Sequence, residues 1–251
     1  MADFKTMSRL WTNLRLAALV ALVIHLIAGF SMALILRHGL ETNPDFTSRL
    51  EFLAHQTPMW ILGWLTWTAA ALSILYFYAS FARAHESDGN LPSAPLQFAV
   101  LLSVAGIAAD LAAETIEMGV LPGLAERALM EQSDQSTESS VALLFLTAHR
   151  SAVILTGFLA NGLYSLSAML LVWTTRSFYA RWIRIAGLCV GLVGLALSGA
   201  SLVNSVNGMF WTNVVLVPSI IVWQLGVAIT ASKRRLGRPP ADRQPFEREH
   251  T

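Results

Sequence analysis

Charge is what this chain has least of. Only 13% of its residues are charged while 55% are hydrophobic, and a soluble domain normally carries about 25% charged residues. That shortage excludes an ordinary soluble domain. Lysine is nearly missing: Lys5 and Lys233 are the only two, and both lie outside the apolar runs. A retinal Schiff base on a membrane lysine is therefore excluded, and with it a rhodopsin-like pigment. Cysteine is reduced to Cys189, inside an apolar run. No intramolecular disulfide and no cysteine-based metal site can form. The apolar runs do not alternate with period two, which argues against a β-barrel. Proline is absent from the middle of every run except one, at Pro218.

What is there is hydrophobicity in membrane-length blocks. Six runs are apolar enough to span: about 14–36, 58–82, 96–121, 150–175, 182–203 and 210–231. Each has the roughly 20 residues needed to cross a bilayer with room for tilt. The expected fold is all-α, a polytopic six-helix membrane bundle over residues 1–232, followed by a basic, disordered tail over 233–251. The first run continues to Leu36 without a convincing small-residue cleavage site, so it is expected to be retained as a span.

Basic residues orient the bundle. With both termini inside, the cytoplasmic side receives Lys5, Arg9, Arg15, Arg83, Arg176, Arg181, Arg184, Lys233, Arg234, Arg235, Arg238, Arg243 and Arg248. The other side receives only Arg37, Arg49, Arg127 and Arg150. The excess predicts an N-in, C-in protein of the cytoplasmic (inner) membrane. The tail is expected near anionic lipid heads. A basic stop-transfer cluster is ordinary topology, so no nucleic-acid partner is expected. Residues 37–57 and 122–140 form the two longer outer connections, the first with an amphipathic stretch from Phe46 to Leu53 and the second with a polar, Ser-rich run from Glu131 to Ser140.

The third run breaks the apolar pattern. It carries Asp110, Glu114 and Glu117, which as i, i+4 and i+7 share one helical face within roughly a 60° arc. A charge at the bilayer centre costs about 2.5–3.5 kcal/mol on insertion scales, so such a stripe faces a protein interior or a watered cavity. Asp110 is expected near mid-membrane, Glu114 about 6 Å nearer the outer face, and Glu117 near the outer interface. The fourth run descends from that interface and brings His149 and Arg150 close to the depth of Glu117, and Gly157, Asn161 and Tyr164 below them. His38, Asp45, Arg49, Glu51, His55, Gln56, Asn204 and Asn207 gather in the same outer half. A polar cavity opening outward, walled by spans two to five, is the expectation.

Three readings compete for this cluster. In the leading one, Asp110, Glu114, Glu117, His149, Arg150 and Asn161 form a site for a proton, a cation or a small ligand. In the alternative, the protein is a membrane-embedded enzyme acting on a lipophilic substrate. Glu114 and His149, with Asp110, would then be an acid–base pair, or Glu114, His149 and His55 would hold a metal. No H-x-x-x-H or H-E-x-x-H pattern supports that metal. In the third, the cluster is structural: Arg150 pairs with Glu117 or Glu114, and Asp110 is protonated or bonded to Asn161. The sequence specifies no cofactor. A bis-His haem on His25 would need a second histidine at matched depth, and none is apparent, so a packed, neutral His25 is expected. Gln224 reads as an interhelical hydrogen-bond donor. Trp11, Trp173, Trp182 and Trp211 fit interfacial belts, while Trp60, Trp64 and Trp67 form a stripe on span two suited to packing. Gly187, Gly191, Gly194 and Ser198 predict a close helix–helix contact, within the monomer in preference to a dimer seam. The oligomeric state stays open.

Three stretches carry a resemblance: Trp64 to Arg83; the Ala-rich acidic segment Ala105 to Glu117; and Leu143 to Gly191, through Arg181-Trp182-Ile183-Arg184-Ile185-Ala186-Gly187. Together they resemble a family of bacterial six-span integral membrane proteins of unknown function. The resemblance implies a small helical bundle and no established reaction.

Overall fold

The computed structural model describes residues 4–87, 91, 93–132 and 140–235, and within them the chain is helical with no strand. Six helical stretches are long and apolar enough to cross a membrane. They are α1 (Phe4–Leu34), α3 (Thr57–Glu86), α4 (Ser93–Gly119), the composite α6–α7, α8 (Arg181–Leu202) and α9 (Val206–Arg235). α3 and α9 run past their apolar blocks at both ends, and α1 and α6 begin ten residues before theirs, because backbone hydrogen bonding continues into polar sequence. The expected tail from residue 233 thus starts inside α9. Residues 236–251, and 133–139 of the Ser-rich run, lie outside the described residues.

The helices close into a ring. α1 packs on α3, α3 on α4, α4 on α7, α7 on α8, α8 on α9, and α9 returns to α1. One end of the ring carries the start of α1 and the end of α9, where Arg234 lies over the Trp11 ring, and is filled by aromatic groups. Trp11 meets His85 edge-on at 5.1 Å, Phe81 stacks on His85 at 4.3 Å, and Tyr179 lies against both. Trp11 is thus a core residue, 2% exposed, and not part of an interfacial belt. The reason is that α1 begins at Phe4, so Trp11 is already two turns inside the helix. Trp173, Trp182 and Trp211 do stay exposed.

The opposite end is capped by two short helices. α2 (Phe46–His55) starts where the Asp45 side chain accepts from the Ser48 N–H at 3.2 Å, an ordinary N-cap. α5 (Leu121–Gln132) stands where the sequence suggested only a connection. Leu121, Ala125 and Ala128 form a buried stripe at helical spacing and meet Leu50, Leu53 and Phe145 in a second core. Twelve residues of modest hydrophobicity do not stand out from a loop; the α2 surface that covers them makes the helix.

The fourth span also differs from its reading. It begins at Ser140, ten residues early, as α6 (Ser140–Val153), passes through a π-helical stretch (Ile154–Ala160), and continues as α7 (Asn161–Thr174). Such wide turns recur at functional sites. In α8 the small residues do what their spacing predicts within one molecule. A side chain on Gly191 would collide with Met169, one on Gly194 with Ser165, and one on Gly187 with Val172 and Trp223.

Candidate functional site

Asp110, Glu114 and Glu117 are all buried, at 9%, 1% and 1% exposure, on the inward face of α4. They share the face, but not one site. Asp110 accepts hydrogen bonds from the hydroxyls of Thr156, in the π-helical stretch, and of Tyr164, the latter at 3.3 Å. Tyr164 reaches it by lying across Gly106, where a Cβ would come within 2.8 Å of the ring. Asn161 donates to the Thr156 carbonyl at 2.9 Å and not to Asp110, because the π turn carries that carbonyl toward it. Glu114 accepts from Thr68 of α3 at 2.6 Å. Hydroxyls thus tie α4 to α3 on one side and to the α6–α7 span on the other.

Glu117 has the histidine. His149 Nδ1 donates to its Oε1 at 2.9 Å, and both residues are 1% exposed. Trp60 fixes the same turn by donating Nε1 to the Glu117 carbonyl at 2.7 Å. The expected partnership of Arg150 with Glu117 or Glu114 is not formed. Arg150 donates to Asn204 Oδ1 at 2.8 Å and to the Leu202 carbonyl at 2.9 Å. Adjacent helical residues point about 100° apart, so His149 faces the interior and Arg150 the α8–α9 turn. There Asn204 takes a left-handed backbone, φ 57°. The expected Glu114–His149 pair is also absent, since Glu117, one turn further along, meets the imidazole first. His55 is exposed at the end of α2, away from both. Among the described residues no group of three or more His, Cys, Asp or Glu converges as a metal site would.

Two charged groups stand behind the dyad. Glu41 Oε1 lies 3.9 Å from His149 Nε2. Arg49, from α2, is 6% exposed and donates Nε to the Gly39 carbonyl at 3.1 Å. Burial pulls the Arg49 guanidinium below its usual range, and Glu41 and Glu117 oppose that shift. Neither residue stood out as a partner of His149 in the sequence, a hundred or more residues away.

His149 also forms part of a cavity wall. A cleft of about 970 Å³ opens between α1 and α9, roofed by residues 37–44. Its long walls are apolar, and its inner wall holds Trp67, His149 and Val153. The cleft thus has spans one and six for its long walls, where the sequence pointed to spans two to five, and it reaches spans two and four at Trp67, His149 and Val153. Asp110 and Glu114 do not line it, because their hydroxyl partners fill the bundle interior around them. Of the tryptophan stripe, Trp60 and Trp64 are buried packing and only Trp67 reaches the cleft. Two polar atoms in this wall have no hydrogen-bond partner among the described residues, His149 Nε2 and Trp67 Nε1. The chain matches no protein-family model, no curated protein and no solved structure.

Thr68 and Thr156 escaped the sequence reading although a hydroxyl inside an apolar span was a signal for them. His25 is buried and bonded to the Ala21 carbonyl at 2.7 Å, as a packed histidine should be. Gln224 is 1% exposed, with Oε1 lacking a partner among the described residues.

Proposed function

We propose that this is a multi-pass membrane protein that binds a lipophilic molecule in the cleft between α1 and α9 and holds its polar head through His149. The bonding state of His149 carries the reading. Its Nδ1 is committed to Glu117 at 2.9 Å, while its Nε2 is buried with no hydrogen-bond partner among the described residues, and the residue lines the cleft. Leaving a buried polar atom unbonded costs about 1–3 kcal/mol, and a ligand head would recover that. A concave, mostly apolar site with a few convergent polar groups is the usual form of a small-molecule site, and about 300–1,000 Å³ is the usual size.

The orientation belongs to the same proposal. Both termini lie in the cytoplasm of a bacterial cell, and the rim of Arg37, His38 and Glu41 faces outward across the inner membrane. The surplus of Lys and Arg at the opposite end supports this.

A second reading has its own observation. A carboxylate fixed on one imidazole nitrogen with the other nitrogen free is how a general base is oriented. In this reading the bound molecule is transformed by proton transfer at His149. Glu117→Gln would then leave binding intact and stop turnover.

The binding proposal is tested by what the protein retains. Ala33 lines the cleft, and Ala33→Trp fills it. Mass spectrometry of organic extracts from purified protein should find a lipophilic species close to stoichiometric with the wild type. The same species should fall several-fold in Ala33→Trp and in His149→Ala. Equal retention in all three proteins would reject the cleft as a binding site.

A further inference from the structure

Resting on the cleft reading above, we infer that the bound molecule is a neutral lipid alcohol, whose hydroxyl sits between His149 Nε2 and Glu41 Oε1. These two atoms are 3.9 Å apart, too far for a direct hydrogen bond. An oxygen set off the line between them can reach both, accepting from a protonated Nε2 and donating its one hydrogen to the carboxylate.

The groups in and behind the wall select that oxygen. Glu41 can only accept as a carboxylate, and Trp67 Nε1 can only donate. Trp67 Nε1 has no partner among the described residues. A head that serves both must donate and accept. A hydroxyl does so, with one hydrogen and two lone pairs. An ammonium has no lone pair for the indole. An ionised carboxylate has no hydrogen for Glu41, and both it and a phosphate are repelled by that carboxylate.

The charge count agrees. Glu41, Glu117, Arg49 and His149 sum to zero with the imidazole protonated and to minus one with it neutral. Around the gap between His149 and Glu41 neither state is net positive, as an anionic head requires; Arg37 also lines the cleft, at its exposed rim. A cationic head would face Arg49 directly behind the carboxylates. Below the polar end, the α9 wall runs from Val206 to Ile221, about 22 Å at 1.5 Å per residue. That is room for one long aliphatic chain lying along the helices.

The experiment compares heads on one chain length. Wild-type protein in phosphatidylcholine nanodiscs is labelled with a photoactivatable hexadecanol, and the modified peptides are mapped. Unlabelled hexadecanol, hexadecanoic acid, hexadecylamine and hexadecyl phosphate then compete at equal mole fraction in the bilayer. Labelling is expected on α1 and α9, with hexadecanol competing at least tenfold better than the other three. His149→Ala should abolish that preference. Glu41→Gln should let the acid and the phosphate compete within a few-fold of the alcohol.

Labelling on α1 and α9 with no preference, or with the acid, amine or phosphate preferred, would overturn the hydroxyl assignment and leave the cleft reading standing. Labelling no greater on α1 and α9 than on the other lipid-facing helices would overturn both.

Discussion

His149 and Arg150 are chain neighbours in opposite surroundings, and their consequences for stability should differ accordingly. His149 is sealed against Glu117, so His149→Ala strands a buried carboxylate oxygen without its donor. We expect a loss of about 1–3 kcal/mol of unfolding free energy, measured by chemical denaturation in detergent micelles. Arg150 makes its bonds at the rim, and Arg150→Ala should cost under about 1 kcal/mol. Equal losses would contradict the burial difference. Gly106 offers a second check. Gly106→Ala pushes a methyl into the Tyr164 ring and displaces its hydroxyl from Asp110. Overpacking of this kind costs about 1–3 kcal/mol, and in a Tyr164→Ala background, where the ring is gone, most of the difference between Gly106→Ala and its parent should disappear. The face shared by Asp110, Glu114 and Glu117 was legible in the sequence because 3.6 residues per turn decide it. The three different partners were not, because Thr68, Thr156 and His149 come from other helices.

At the scale of the element, α8 and the π-helical stretch depend on close approach. Gly191 packs on Met169 and the Ser165 carbonyl, whereas Gly199 meets nothing within 4 Å. Gly191→Val should therefore lower the thermal midpoint in detergent by several degrees. Gly199→Ala should hold or raise it, since alanine is favoured over glycine in a helix interior by about 0.5–1 kcal/mol. The small-residue spacing of α8 made its tight packing readable in advance. The π-helical stretch was not readable. Its residues, Ile154 to Ala160, carry no proline, and within them Gly157 comes so close to Ser201 of α8 that a side chain there would collide with the hydroxyl. That contact exists only once α8 is in place. Helix α5 is a similar case: its stripe of Leu121, Ala125 and Ala128 needs α2 as a cover.

For the whole molecule, the ring of helices sets which surfaces can be reached from each side of the bilayer. With the orientation proposed above, Thr47 on α2 faces the outside and Ser93 at the start of α4 faces the cytoplasm; both are exposed. In a Cys189→Ala background, a membrane-impermeant maleimide applied to intact cells should label Thr47→Cys at once and Ser93→Cys only after lysis. The reverse pattern would invert the bundle and turn the cleft's polar rim to the cytoplasm.

Six helices long enough to cross a membrane, and the carboxylate face of α4, follow from the sequence by itself, because length, hydropathy and helical period are local properties of the chain. The tertiary structure decided the rest. It assigned Glu117 rather than Glu114 to His149 and turned Arg150 away. It also set the long walls of the cleft at the seam where α9 meets α1. Those outcomes depend on how the ring closes between helices at opposite ends of the chain, and no local pattern encodes the side on which two distant helices leave a gap.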